Sequence, residues 1–223
     1  TLPTNLTFSL VEYKKYTKIT ECFKKDMSLL RSYNMPYISD INKQITMGNS
    51  RNLIRLFETN FDNQVHNVAL QAINNNVKYL FISGPSSSGK TTTAKKIALN
   101  IQSMGYIPYL ISTDDYFVNK VDSPKNPDGT YDFESIYCVD IKKLSQDLKD
   151  LTSGKEVLLP KYNFKTGLRE YDDHVTKLND KSIIIVEGIH CLNDELTPDL
   201  DNSLKYKVYL SPFMPLMIDR HNY

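Results

Sequence analysis

The sequence predicts an α/β protein: a mainly parallel sheet with helices on its faces, preceded by a helical N-terminal extension. Three observations lead there. Short apolar runs alternate with helix-patterned segments from residue 77 onward. One run, Ser182–Glu187, is continuously apolar, as a strand covered on both faces is. Residues 1–76 carry their apolar residues at helical spacing. The chain has 223 residues, 40% of them hydrophobic, enough for one full α/β core and an appendage.

The appendage, residues 1–76, is rich in Asn, Lys and Tyr. Its stripes are Phe23, Met27 and Leu30, then Leu53, Phe57, Phe61, Val65 and Val68. Asp40 is expected to N-cap a short helix ending near Gly48, and Asn74–Asn76 form a polar break before the main domain, residues 77–223. Val77–Ser83 is the first strand. A helix follows with Ala94, Ile97, Ala98 and Ile101 on one face, closed by Gly105 as a C′ residue. Tyr106–Ser112 is the second strand. A second helix presents Ile141, Leu144, Leu148 and Leu151 and ends by Gly154, and Ser182–Glu187 and Lys205–Leu210 supply two more strands. Right-handed crossovers then place a ligand at the carboxyl ends of the strands.

Composition narrows the partners. Lys and Arg total 27 against 26 acidic residues, so no basic field favours nucleic acid. Cys22, Cys138 and Cys191 stand far apart without metal spacing, an odd set that points to reduced thiols in a cytoplasmic protein. No apolar run approaches the ~20 residues of a membrane span, and the N-terminal residues of this sequence show no signal-peptide h-region. Homo-oligomerisation is left open by the sequence.

The stretch GPSSSGKT, Gly84 to Thr91, follows the first strand and opens the first helix of the domain. In that context it is a P-loop. Backbone N–H groups of Gly84, Ser86, Ser87, Ser88, Gly89, Lys90, Thr91 and Thr92 line a concavity for phosphates, Lys90 reaches the β- and γ-phosphates, and the Thr91 hydroxyl can ligate Mg²⁺. Gly84 and Gly89 allow backbone arrangements that a side chain would obstruct. The helix N-terminus adds ~0.3–1 kcal/mol of attraction for an anion. The expectation is a P-loop NTPase fold that binds ATP.

Three further segments carry chemistry. STDDYF places Asp114 and Asp115 at a strand's carboxyl end, where a carboxylate can take the proton of an attacking hydroxyl or hold Mg²⁺ through water; a turn would use Asp there too. IIIVEGIH brings Glu187 to the same edge, to help hold the metal. PKYNFKTGLRE mixes aromatics with Lys161, Lys165 and Arg169; it suits a planar base and phosphate oxygens, and equally an ordinary hairpin loop. His190 has no HxH or CxxC partner and reads as packing, as do His66, His174 and His221. Asn119-Lys120-Val121-Asp122 matches the NKxD signature of guanine-specific GTPases, but it precedes the Glu187 strand and no DxxG element accompanies it.

Taken together, GPSSSGKTT, STDDYF, YDFE, PKYNFKTGLR and VEGIHCLNDELT resemble, in order and spacing, the uridine kinase/phosphoribulokinase group of P-loop kinases over residues 77–223. Within it the chain is most similar to uridine kinase-like proteins with an N-terminal extension related to threonyl-tRNA synthetase, through ISDIN and GNSRNLI in residues 20–76. The HxxxH site of the synthetase-like part is absent. The resemblance implies a nucleoside kinase-like fold, ATP and Mg²⁺ as cofactors, and a small nucleoside-like acceptor. It makes Asp114 the general base toward the nucleoside 5′-hydroxyl, with Lys90 on the phosphates, and Glu187 the metal-associated acid. It puts Glu134 on the ribose hydroxyls, and Tyr116, Tyr162, Phe164 and Arg169 on the nucleoside-pocket segment. Gly167 departs from the pattern, because characterised uridine–cytidine kinases have a His there that reads the pyrimidine. The family also carries an arginine-rich lid after the segment corresponding to Ile218–Asn222, before which this chain is expected to end. The rival acceptors are a sugar phosphate or pantothenate. A further rival is a nucleotide-binding regulatory module without turnover.

Overall fold

The computed structural model describes residues 17–212 and 216–219; the expectations for residues 1–16 and for His221 lie outside the described residues. The chain divides into two compact units, Thr1–Leu56 with Phe213–Tyr223, and Phe57–Pro212. Composition places the boundary at 76/77 instead. The difference arises in α3 (Ser50–Asn74), whose Val65 and Ala69 are buried in the core of the second unit.

The first unit holds α1 (Thr17–Ser32), α2 (Ile38–Thr46) and the opening turns of α3. Met27 and Leu30 form the buried stripe of α1, while Phe23 is 45% exposed. Asp40 does not cap α2. The N-cap is Tyr37, and Asp40 occupies the third helical position, where its carboxylate accepts the Tyr37 backbone N–H at 3.2 Å.

The second unit is built on a four-stranded parallel sheet in the order β2-β5-β1-β6, from β1 (Tyr79–Ser83), β2 (Ile107–Ser112), β5 (Ser182–Glu187) and β6 (Lys205–Tyr209). All five residues of β1 and all six of β5 are buried, as the apolar runs require. On one face Ala94, Ile97 and Ile101 of α4 (Lys90–Ser103) pack with Val65 and Ala69 of α3 onto Leu80, Ile82, Ile183 and Ile185. On the other, Leu144, Leu148 and Leu151 of α5 (Ile141–Thr152) cover Phe81, Ile184 and Val186. Gly105 and Gly154 take the left-handed conformation just past α4 and α5, as read from the sequence. The basic, aromatic stretch is a true antiparallel hairpin, β3 (Val157–Asn163) with β4 (Leu168–Thr176).

Candidate active site

Three strands end on one edge of the sheet, and each delivers one part of the site. After β1 the chain passes through Gly84–Gly89 into α4, with Lys90 as its first residue. Ser87 (φ 58°) and Gly89 (φ 84°) are left-handed, which turns successive N–H groups into the concavity. Gly84 answers a different demand: a Cβ there would lie 2.8 Å from the Leu210 carbonyl oxygen. Ser88 Oγ is buried in this loop without a hydrogen-bond partner among the described residues. A buried orphan hydroxyl costs about 1–3 kcal/mol unless something bonds to it. Ser86, Ser87, Thr91 and Thr92 are exposed around it. Lys90 Nζ lies against the loop, donating to the Pro85 carbonyl at 2.8 Å.

The Thr91 hydroxyl donates to Glu187 Oε1 at 2.8 Å, joining the start of α4 to the end of β5. Glu187 is 9% exposed. These are hard oxygen donors, suited to Mg²⁺, which keeps several waters and needs no dedicated protein cage. Among the described residues no group of three or more His, Cys, Asp and Glu is clustered around a metal position.

The 3₁₀ turn Thr113–Tyr116 follows β2 and carries both aspartates. About three residues complete such a turn, so neighbouring side chains diverge. Asp114 faces the P-loop and Glu187. Asp115 faces the hairpin, accepting Lys161 Nζ at 3.0 Å and the Tyr162 N–H at 3.4 Å. The Asp114 side chain reaches solvent, yet the protein packed around it strips enough water to raise its pKa above the usual aspartate value. The Glu187 carboxylate raises it further, and Lys90 and His190 oppose the shift. A carboxylate poised this way is a better proton acceptor than an ordinary aspartate.

The residues expected around an acceptor divide into two groups. Tyr116 is 1% exposed, and its hydroxyl donates to Asp147 at 3.1 Å. Burial, then the Asp147 charge, push its pKa up, so it is a core residue and offers no surface to a ligand. Arg169 is likewise committed within the protein. Its guanidinium donates to Asp140 at 3.0 Å, to the Tyr116 carbonyl at 3.1 Å and to the Phe117 carbonyl at 3.0 and 3.3 Å. The fork fastens β4 to the turn that bears Asp114. Tyr162 packs edge-on against Phe117 and Phe164, and of these Phe164 is 67% exposed. Glu134 is exposed, and its carbonyl accepts His190 Nε2 at 2.8 Å.

His190, read from the sequence as packing, is half-buried just beyond the end of β5, close enough to Asp114 to influence its charge, and it holds the Glu134 segment in place. The NKxD look-alike has a structural employment: Asn119 Oδ1 accepts the Arg169 N–H at 3.4 Å, and the Lys120 N–H donates to the Gly167 carbonyl at 2.9 Å. Gly167 itself is left-handed (φ 71°), and a Cβ there would lie 2.9 Å from Lys120 Cβ.

The chain is similar to known proteins. The family model described as "Phosphoribulokinase / Uridine kinase family" matches residues 80–221. A uridine kinase of Macrococcus caseolyticus (strain JCSC5402) is 32% identical over 139 residues, 62% of this chain and 64% of that protein. The Arabidopsis thaliana protein named "Inorganic pyrophosphatase TTM2" is 33% identical over 128 residues, 57% of this chain and 17% of that one. A solved structure, "Structure of a Possible Uridine Kinase from Bacillus stearothermophilus", superposes with a TM-score of 0.48 at 26% identity, over 60% of this chain and 70% of that one. The chain thus spans less than two thirds of the length of the uridine kinase it matches.

Proposed function

The chain belongs to the phosphoribulokinase/uridine kinase family, and from that premise we propose that it is an ATP:nucleoside phosphotransferase acting on a sugar 5′-hydroxyl. The observation that carries the reading is the convergence of three strand ends: the P-loop with Lys90, the Thr91–Glu187 hydrogen bond, and Asp114 with its raised pKa beside them. A kinase needs one group for phosphates, one oxygen set for a metal, and one base for the acceptor.

The residues divide the work accordingly. N–H groups of Gly84–Thr91 and the unpartnered Ser88 hydroxyl take the phosphate oxygens of ATP, and Lys90 swings from the Pro85 carbonyl to the β- and γ-phosphates. Thr91 and Glu187 would hold Mg²⁺, Glu187 partly through water, and the ion would supply charge neutralisation to the phosphates when bound. Asp114 accepts the proton of the acceptor hydroxyl as its oxygen forms a bond to the γ-phosphorus and the bond to the ADP oxygen breaks in line. Positioning and charge neutralisation supply most of the rate. Glu134 and Phe164 flank the acceptor, and Tyr162, only 7% exposed, packs against Phe164 and supports it. Gly167 offers no side chain to read a base edge, so discrimination between uridine and cytidine is weak.

The test is ADP formation with Mg²⁺-ATP and a panel of nucleosides, sugar phosphates and pantothenate, with the product located by phosphorus NMR. A nucleoside 5′-monophosphate supports the assignment. Turnover confined to a sugar phosphate or pantothenate, or retained ATP binding with no turnover, overturns it.

A further inference from the structure

β2 and β5 run in register to their ends, where Ser112 stands opposite Glu187. One residue further, Thr113 opens the turn that carries Asp114, and Gly188 follows Glu187. Thr113 is 1% exposed and Gly188 is buried. A Cβ on Gly188 would lie 1.9 Å from Thr113 Oγ1, 2.9 Å from its Cβ and 3.0 Å from its Cγ2. No pair of such atoms survives at 1.9 Å, and a β-branched side chain has little rotamer freedom with which to escape. Gly188 cannot simply retreat either, because its N–H is bonded to the Ile82 carbonyl of β1 at 3.1 Å. The unoccupied side-chain position of Gly188, rather than any freedom of its backbone, lets the chain leaving β2 settle on the end of β5.

We propose that Gly188 is a positioning residue: with no side chain it seats Thr113, and so sets the separation of the Asp114 and Glu187 carboxylates. The kinetic consequence rests on the phosphotransferase reading; the steric one does not. A methyl group at Gly188 must displace Thr113 by about an ångström or more to reach ordinary contact. Asp114, the next residue, moves with it. The P-loop lies on another strand and is left in place.

The experiment compares wild type, Gly188→Ala, Thr113→Ala and the double variant, each for kcat, acceptor KM, the Mg²⁺-ATP dissociation constant and urea unfolding. Gly188→Ala is expected to lower kcat about 10²-fold, the scale of an ångström of misplacement, with ATP affinity unchanged. Thr113→Ala removes the 1.9 and 3.0 Å contacts, so the double variant should regain part of the lost kcat, and the two changes should be non-additive in stability. Wild-type kcat in Gly188→Ala, or a kcat loss that Thr113→Ala deepens, overturns the proposal. Should Gly188→Ala not fold, the double variant carries the comparison: recovery of folding with a kcat approaching that of Thr113→Ala supports the proposal, and a double variant that still fails to fold overturns it. If wild type phosphorylates no acceptor, the functional reading fails on its own. The stability cycle then decides the steric claim, and additivity there refutes it.

Discussion

Replacing Arg169 with Met should destabilise the protein without touching ATP binding. Met keeps much of the apolar stem and removes the planar fork. Arg169 is 16% exposed and Asp140 32%, so the pair is only partly desolvated, and the ~3–5 kcal/mol lost on breaking a fully buried pair is an upper bound. Two of the three acceptors keep other partners: Asp140 still accepts the Lys143 N–H at 3.0 Å, and the Tyr116 carbonyl still accepts the Asp140 N–H at 2.8 Å. The Phe117 carbonyl loses two donors, at about 1–3 kcal/mol for an unsatisfied group. Adding roughly 1 kcal/mol for the weakened Asp140 contact gives about 2–4 kcal/mol. At a urea m-value near 2 kcal/mol/M this is a fall of about 1–2 M in midpoint. The chain has 15 Tyr and no Trp, so tyrosine emission or circular dichroism reports the transition. An unchanged midpoint with a raised acceptor KM would refute the clamp and return Arg169 to the substrate.

Lys90→Ala should weaken Mg²⁺-ATP binding by roughly 10- to 150-fold with the fold intact, the loss of one charge-assisted contact; calorimetry checks it. Asp114→Asn should raise Tm at pH 7. The folded carboxyl titrates above its unfolded value, so its charge disfavours the fold at neutral pH, and the gain over wild type should shrink as pH falls through the raised pKa. For the same reason the acid limb of kcat/KM, which reports the free enzyme, should begin above the ~3.9 of a free aspartate. Asp115→Asn should reduce turnover less than Asp114→Asn, because its carboxylate serves Lys161 and the Tyr162 N–H; a reversed order of effects would mean that the base is the other carboxylate. Gly167→His should lower the unfolding midpoint, since its Cβ meets Lys120 and its φ is left-handed; a neutral substitution would contradict the steric account.

The two central strands were legible because they are buried on both faces: SIIIVE and YLFIS announce themselves as apolar runs, and the P-loop and Glu187 follow from where those runs stop, whereas β2, which leads to Asp114, and β6 are half-exposed. The hairpin was not. β4 reads LREYDDHVT and is largely exposed, so no alternation marks it; the hairpin's order comes from Arg169 of β4 reaching the Tyr116 carbonyl, Asn119 accepting the Arg169 N–H, and Asp115 accepting from β3. That also explains why Tyr116 and Arg169 were placed at a ligand: an aromatic and a cation near a motif look alike whether they face outward or lock the turn from beneath. Asp40 missed its cap by three residues because Tyr37 has no cap-like side chain to mark the start of α2.

The central claim, that one edge of the sheet binds Mg²⁺-ATP and activates a sugar hydroxyl through Asp114, is tested most directly by the rate of nucleoside 5′-monophosphate formation in wild type and Asp114→Asn, with the ATP dissociation constant measured alongside. The account predicts a 5′-monophosphate product, a fall in kcat of about 10²-fold or more in the variant, and unchanged ATP affinity. Undiminished turnover in Asp114→Asn, or phosphate delivered to an acceptor that has no sugar hydroxyl, would contradict it.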